Sequence, residues 1–278
     1  MKYNQLIYLV LLPLALVLSN WILIFYNFEG FESDLKILLN FNDIEYFPFI
    51  ISLSEFNFSP SYNDYFEAEG LMTFPYASII LHSIFFKFFG LNGYIISQIL
   101  FVILSYNLIY YFLKISGISE TASILTTLVI FFTPVFLGFL NMLFESSLLI
   151  HLKDQIFGNH FNNYRFPRPL VTNLFFYSSL ILLILFKKED NLKLKVYITM
   201  SLILSLLLQS FIYLFILVGI GLFYIFLEKY IKNKNFIYEN YKKILILFFF
   251  FLIFCSPFFL QNLFSNSDYS ARMGLYPI

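Results

Sequence analysis

Apolar residues fall along this chain in runs of about twenty, separated by short polar stretches, and that spacing predicts helices that cross a membrane. The first run covers residues 6–26, after a polar start containing Lys2. Pro13 lies within it, and a proline is tolerated in such a helix when a neighbouring helix satisfies the freed carbonyl. Trp21 and Tyr26 suit the far membrane interface. Residues 27–75 form a long polar and aromatic loop. Within it, 43–56 carries apolar residues at helical spacing (Ile44, Phe47, Ile51 and Phe56, with Leu53 nearby) and predicts a short amphipathic helix lying on the membrane surface. Pro48 argues against a start as early as Asp43, because proline fits best in a helix's first turn.

Residues 76–89 are apolar but too few to cross a bilayer, and His82 and Lys87 interrupt them, so an interfacial or re-entrant helix is expected. Residues 90–93 are a turn, followed by spans at 94–113, 119–137 and 170–186, with a second far-side loop at 139–169. The run 196–227 is too long for one span and short for two. We read it as a tight pair of short helices turning near Gln209 and Ser210. A further span covers 244–260, and 261–278 begins another far-side loop; the chain is read as an N-terminal portion of a longer protein. Together these patterns predict a single transmembrane domain over 1–278. Its fold is an all-α polytopic helical bundle with a long first extracytoplasmic loop, 27–75, containing short amphipathic helices.

Composition agrees with the pattern. Hydrophobic residues make up 60% of the chain and charged residues 12%, with a mean hydropathy of +0.79, which excludes an ordinary soluble domain. The first run is too long for a signal-peptide core and is read as a retained anchor. Net charge is zero, and nothing suggests a nucleic-acid partner. The aromatic content follows a general bias in composition, so no cofactor site is read into it. Cys255 is the single cysteine and is expected to be a buried small hydrophobe.

Charge placement orients the bundle. Lys2, Lys114, Lys187, Lys188, Lys193, Lys195, Lys229, Lys232, Lys234, Lys242 and Lys243 all fall on one side of the predicted membrane, which is therefore the cytoplasmic side. A single helix over 196–227 would place the lysine clusters at its ends in opposite compartments, so the bias favours the hairpin. The three arginines, Arg165, Arg168 and Arg272, lie on the outer side instead. Guanidinium grips phosphate with a rigid fork, whereas lysine acts as a point charge.

The outer side also gathers acid. Nine of the seventeen carboxylates lie between Glu29 and Glu69. Asp43 and Glu45 are two apart, so on a helix they would diverge by about 200° and not act as a pair. In an extended conformation they could share a divalent cation. Asp43 could also be an ordinary helix N-cap, as could Asn42. Arg165 and Arg168 flank Phe166-Pro167 at the mouth of a span, where they could bind a lipid phosphate or snorkel to headgroups. Tyr62 and Tyr65 fit an aromatic belt as readily as a sugar-stacking platform. His82, His151 and His160 lack ligand-type spacing and read as packing or interfacial residues.

The order of these features resembles a known family. Asp43 is followed by Tyr46, a short helix ending near Leu53, the extended piece Phe58-Ser59-Pro60, then Phe74-Pro75, and an apolar helix closing on Phe88-Phe89-Gly90 before a span. Over residues 43–113 this resembles the first outer loop of polytopic glycosyltransferases of the GT-C fold, in the branch of protein mannosyltransferases and aminoarabinose transferases. The resemblance implies an enzyme of a bacterial inner membrane with its active site outside the cytoplasm. It would move a sugar from a polyprenyl phosphate donor to a glycan or lipid acceptor, with Asp43 as general base. Two departures matter. The family's acidic pair is adjacent, whereas Ile44 separates Asp43 from Glu45 here. The lysine that often precedes the later proline is Phe74 here, which shifts the phosphate role to Arg165 and Arg168. The candidate site is therefore Asp43 and Glu45 for catalysis, with Arg165, Arg168, Tyr46, Tyr62 and His82 for substrate and a divalent cation as possible cofactor. Two other readings stay open: a polysaccharide polymerase of the O-antigen type, and a non-enzymatic lipid or sugar transporter.

Overall fold

The computed structural model describes residues 7–27, 30, 32–39, 46–57, 76–131 and 170–264. All regular elements among them are helices, in the order α1 (a π-helical turn Ile7–Leu11 continuing as Leu12–Asn27), α2 (Ser33–Leu39), α3 (Phe47–Ser54), α4 (Tyr76–Phe89), α5 (Asn92–Ile115), α6 (Glu120–Phe131), α7 (Leu170–Lys188), α8 (Leu194–Leu208), α9 (Ile212–Lys232) and α10 (Phe236–Phe264). Four of these, α5, α7, α9 and α10, are long and apolar enough to cross a membrane. The chain divides into two compact units, Met1–Glu45 with Phe85–Tyr177 and Tyr46–Ile84 with Ser178–Ile278.

In the first unit α1 packs on α5. Pro13 has no N–H for the carbonyl of Leu9 four residues back, and its ring crowds that carbonyl, which accounts for the wide π-helical turn just before it. The side-chain amide of Asn107 on α5 donates to the Leu9 carbonyl at 2.8 Å, and to Ile103 of its own helix at 2.7 Å. The neighbouring helix thus does what the sequence requires of it. Trp21 is buried against protein, with its ring 6.2 Å from that of Phe25, while Tyr26 is exposed. Inside the α5–α6 hairpin Tyr106 is fully buried, its ring 5.6 Å from Phe131. The remainder of the third predicted span, 132–137, lies outside the described residues.

The turn between α4 and α5 is set by two glycines. Gly90 has φ +57° and its N–H closes α4 on the Phe86 carbonyl at 2.8 Å. At Gly93 a Cβ would sit 2.5 Å from the Phe85 carbonyl oxygen, so only glycine lets the start of α5 approach the end of α4 this closely. Helix α4 has fourteen residues, as the polar interruptions implied, and at about 1.5 Å per residue it falls short of a bilayer core.

In the second unit the run 196–227 is a hairpin. Helix α8 ends at Leu208, Gln209 and Ser210 form the turn, and α9 starts at Ile212. Helix α9 is longer than expected, continuing to Lys232. The hairpin returns the lysines to one end: the Lys229 ammonium reaches the Asp190 carboxylate at 2.5 Å and the Glu189 carbonyl at 2.7 Å, just before α8 begins. Helix α8 lies along α10. Ser201 donates to the Leu247 carbonyl at 2.7 Å, and two turns further Gln209 donates to that of Phe254 at 3.1 Å. Cys255 is fully buried against Leu208 and Phe258, the hydrophobe expected of it. The outward faces of α9 and α10 carry large apolar side chains such as Leu217, Phe223, Leu245 and Phe249, a surface suited to lipid rather than water.

Candidate functional site

The first loop is tied down at its start. Helix α2, which the periodicity did not anticipate, places Lys36 so that its ammonium donates to the Phe25 carbonyl at 3.1 Å and lies 5.5 Å from the Phe25 ring centre. The last carbonyls of a helix have no partner within it and carry partial negative charge, so a lysine there both caps and neutralises. Asp34 stands in the first turn of α2, exposed. A seven-residue helix with so little apolar periodicity is invisible to a pattern search; its anchor is Lys36.

Helix α3 begins at Phe47, with Tyr46 in the cap position and Pro48 in the first turn. This corrects the N-cap reading of Asn42 and Asp43. The proline, whose missing N–H is harmless only in the first turn, fixes the start four residues after Asp43. It also corrects the buried face. Phe49, Ile50 and Leu53 are enclosed, while Phe47 and Ile51 are half-buried and Phe56 is exposed with φ +61°. Ser54 closes the helix by donating to the Ile51 carbonyl at 2.6 Å.

Of the residues proposed for chemistry, the structure describes two. Tyr46 is half-buried at the head of α3. His82 sits on the enclosed face of α4 with Ser78, Ile79 and Ser83, only 1% exposed. Burial lowers its pKa to about 3, so the imidazole is neutral at physiological pH. Asp43, Glu45, Tyr62, Arg165 and Arg168 lie outside the described residues. Among the described residues no group of three or more His, Cys, Asp or Glu side chains is placed to hold a metal ion. The pair considered for a divalent cation, Asp43 and Glu45, is not among them.

Polar groups whose hydrogen bonds the sequence reading did not assign lie along α8 and in the turn that follows it. Ser201 and Ser205 on α8 and Gln209 just after its end recur every fourth residue, and Gln209 also donates to the Ser205 hydroxyl at 3.0 Å. Their spacing was available as a signal, since three polar residues on one face of an apolar helix must find partners in a membrane.

Among the described residues these features are those of an all-helical protein with four helices long and apolar enough to cross a membrane. Comparison with protein-family models, with curated proteins and with solved structures gives no match.

Proposed function

We propose that this protein is a membrane glycosyltransferase that transfers a sugar from a polyprenyl phosphate donor to a glycan or lipid acceptor outside the cytoplasm. The observation that carries the reading is the run of elements after α1. Tyr46 heads a short helix, α3, with one enclosed apolar face; a non-spanning helix, α4, follows and is turned by Gly90 and Gly93 into the span α5. These helices are part of the order on which the family resemblance rests; Asp43, Phe58-Ser59-Pro60 and Phe74-Pro75, which complete it, lie outside the described residues. The grouping of carboxylates in this loop and of arginines in 139–169 supports it.

In this reading Asp43 accepts the proton of the acceptor hydroxyl as its oxygen bonds to the sugar's anomeric carbon. The bond from that carbon to the phosphate oxygen breaks on the opposite face, which inverts the configuration. Arg165 and Arg168 take up the charge gained by the leaving polyprenyl phosphate. Glu45 assists as a second carboxylate. The tail of the donor remains in the bilayer, so the site must stand at the membrane surface, on the side opposite the lysine-rich ends of α7, α9 and α10.

Purified protein, or membranes containing it, assayed with a polyprenyl-phosphate sugar provides the test. Asp43→Asn, expressed at the wild-type level, is expected to lose about 10²–10⁴-fold in transfer rate, the usual weight of a general base. Transfer at the wild-type rate removes Asp43 from the mechanism. A polymerase whose outer arginine loop carries the reaction would instead tolerate Asp43→Asn and fail with Arg165→Lys and Arg168→Lys. A transporter would move labelled lipid-linked sugar across vesicles without forming product.

A further inference from the structure

A half-open apolar groove of about 290 Å³ runs between α8, α9 and α10. Leu204, Phe215, Gly219, Phe226, Leu247 and Phe251 line it, with the rings of Phe215 and Phe251 stacked at 5.7 Å along one wall. Gly219 makes the space: a Cβ placed there would meet no atom within 4 Å. The groove is built on two of the four helices long enough to cross a membrane, and Phe223 and Phe248 on its rim are exposed.

Phe226 and Leu247 of the lining lie toward the end of the hairpin where Lys229 meets Asp190, Lys232 meets Glu228 and Lys243 meets Asn191. Residues 187–243 include nine lysines and four carboxylates, a net charge of five positive units. Lys243 lies one helical turn before Leu247 on the same face of α10, about 6 Å along the axis. Its ammonium donates to the side-chain carbonyl of Asn191 at 2.6 Å, a neutral partner that leaves the positive charge in place. Lys229, the corresponding residue beyond Phe226 on α9, differs in being neutralised by Asp190.

We propose that this groove is a lipid site that selects an anionic phospholipid, with one acyl chain lying between Phe215 and Leu247 and the phosphate at Lys243. The apolar lining accepts any acyl chain and therefore does not discriminate by itself. Selection comes from the charge at the mouth, where a basic residue near a membrane surface favours an anionic headgroup over a zwitterionic one. The site is independent of the glycosyl-transfer reading and involves none of its residues.

The test uses the full chain, purified in detergent and equilibrated with mixed micelles holding phosphatidylglycerol and phosphatidylcholine of the same acyl chains in equal amounts. Lipid retained on the protein is counted by native mass spectrometry. Wild type is expected to retain phosphatidylglycerol in preference. Gly219→Leu, whose side chain fills the groove, should reduce retention to the level of non-selective boundary lipid. Lys243→Gln should still retain lipid but lower the preference about fivefold, the weight of one basic residue. Equal retention of both lipids by wild type overturns the proposal, as does undiminished phosphatidylglycerol on Gly219→Leu. If Gly219→Leu does not fold, Lys243→Gln decides, and an unchanged preference in that variant overturns the proposal.

Discussion

Two of the described helices contain a proline beyond the first turn, and each is left with a carbonyl that its own ladder cannot satisfy. In α1 the carbonyl is that of Leu9, and the donor that replaces the Pro13 N–H is Asn107, on another helix and 98 residues away in sequence. In α10 the carbonyl four residues before Pro257 is that of Ile253, and the donor is Ser256, whose hydroxyl reaches it at 2.7 Å. The chemical defect is the same in both, but the repair is local in one and tertiary in the other. A local repair needs only the right residue next to the proline, and α10 can carry it wherever it packs. The tertiary repair makes α1 depend on α5, and the same amide that satisfies Leu9 locks the two helices in register.

That difference can be broken experimentally, and the largest effect should come from the tertiary repair. Asn107→Leu keeps the branched outline of the side chain but removes its amide, leaving the Leu9 carbonyl without its donor. It is expected to lower stability in detergent by about 1–3 kcal/mol, the usual result of orphaning a buried acceptor. Adding Pro13→Ala restores the missing N–H, so the double variant should recover most of that loss, giving a coupling of about 1–2 kcal/mol in the cycle. Additive effects in thermal unfolding would mean that Asn107 and Pro13 do not share the Leu9 carbonyl. Ser256→Ala should lose less, about 0.5–1.5 kcal/mol, and should become neutral in a Pro257→Ala background. Ser256→Ala must also leave the α8–α10 contact unchanged, since its repair does not cross helices; cysteine pairs introduced between those helices would report any shift.

The smallest effect belongs to the polar seam of α8. Ser201 and Gln209 donate to carbonyls of α10 that have no proline ahead of them: residues 251 and 258, four beyond Leu247 and Phe254, are both phenylalanine and keep their N–H. Removing Ser201 therefore takes away an added bond rather than the only one. Ser201→Ala should cost about 0.6 kcal/mol, the average for such bonds in membrane proteins. A loss as large as that of Asn107→Leu would show that the seam, and not proline repair, dominates helix association here.

The same contrast marks what could be read beforehand. The hairpin turn at Gln209 and Ser210, the brevity of α4 and the burial of Cys255 follow from run length, charge placement and apolarity, all of which are local. That a neighbour must rescue Pro13 was legible, but that the neighbour is Asn107 was not. Helix α2 escaped notice because its anchor, Lys36 on the Phe25 carbonyl, is a tertiary contact. The helix over 43–56 was legible, as was the objection that Pro48 raises to a start at Asp43; its start at Phe47, with Tyr46 as the cap residue, came from the structure. The enclosure of His82 could not be derived from an interrupted apolar run, which says that a polar residue is present and not which way it faces.

The amino-acid sequence by itself determined that this is a chain of apolar helices, several long enough to cross a membrane and others shorter, where most of them begin and end, and which ends gather lysine. Backbone groups cannot remain unpaired in hydrocarbon, so a long apolar run has little choice but to be helical. Only the tertiary structure decided which face of each helix meets protein: Trp21 inward and Tyr26 outward on α1, Phe49 rather than Phe47 on α3, and a groove on α9 where Gly219 withholds a side chain. In water the contrast between apolar and polar positions would have marked those faces. In a bilayer the surroundings are as apolar as the core, so the distinction is left to shape and to a few hydrogen bonds between helices.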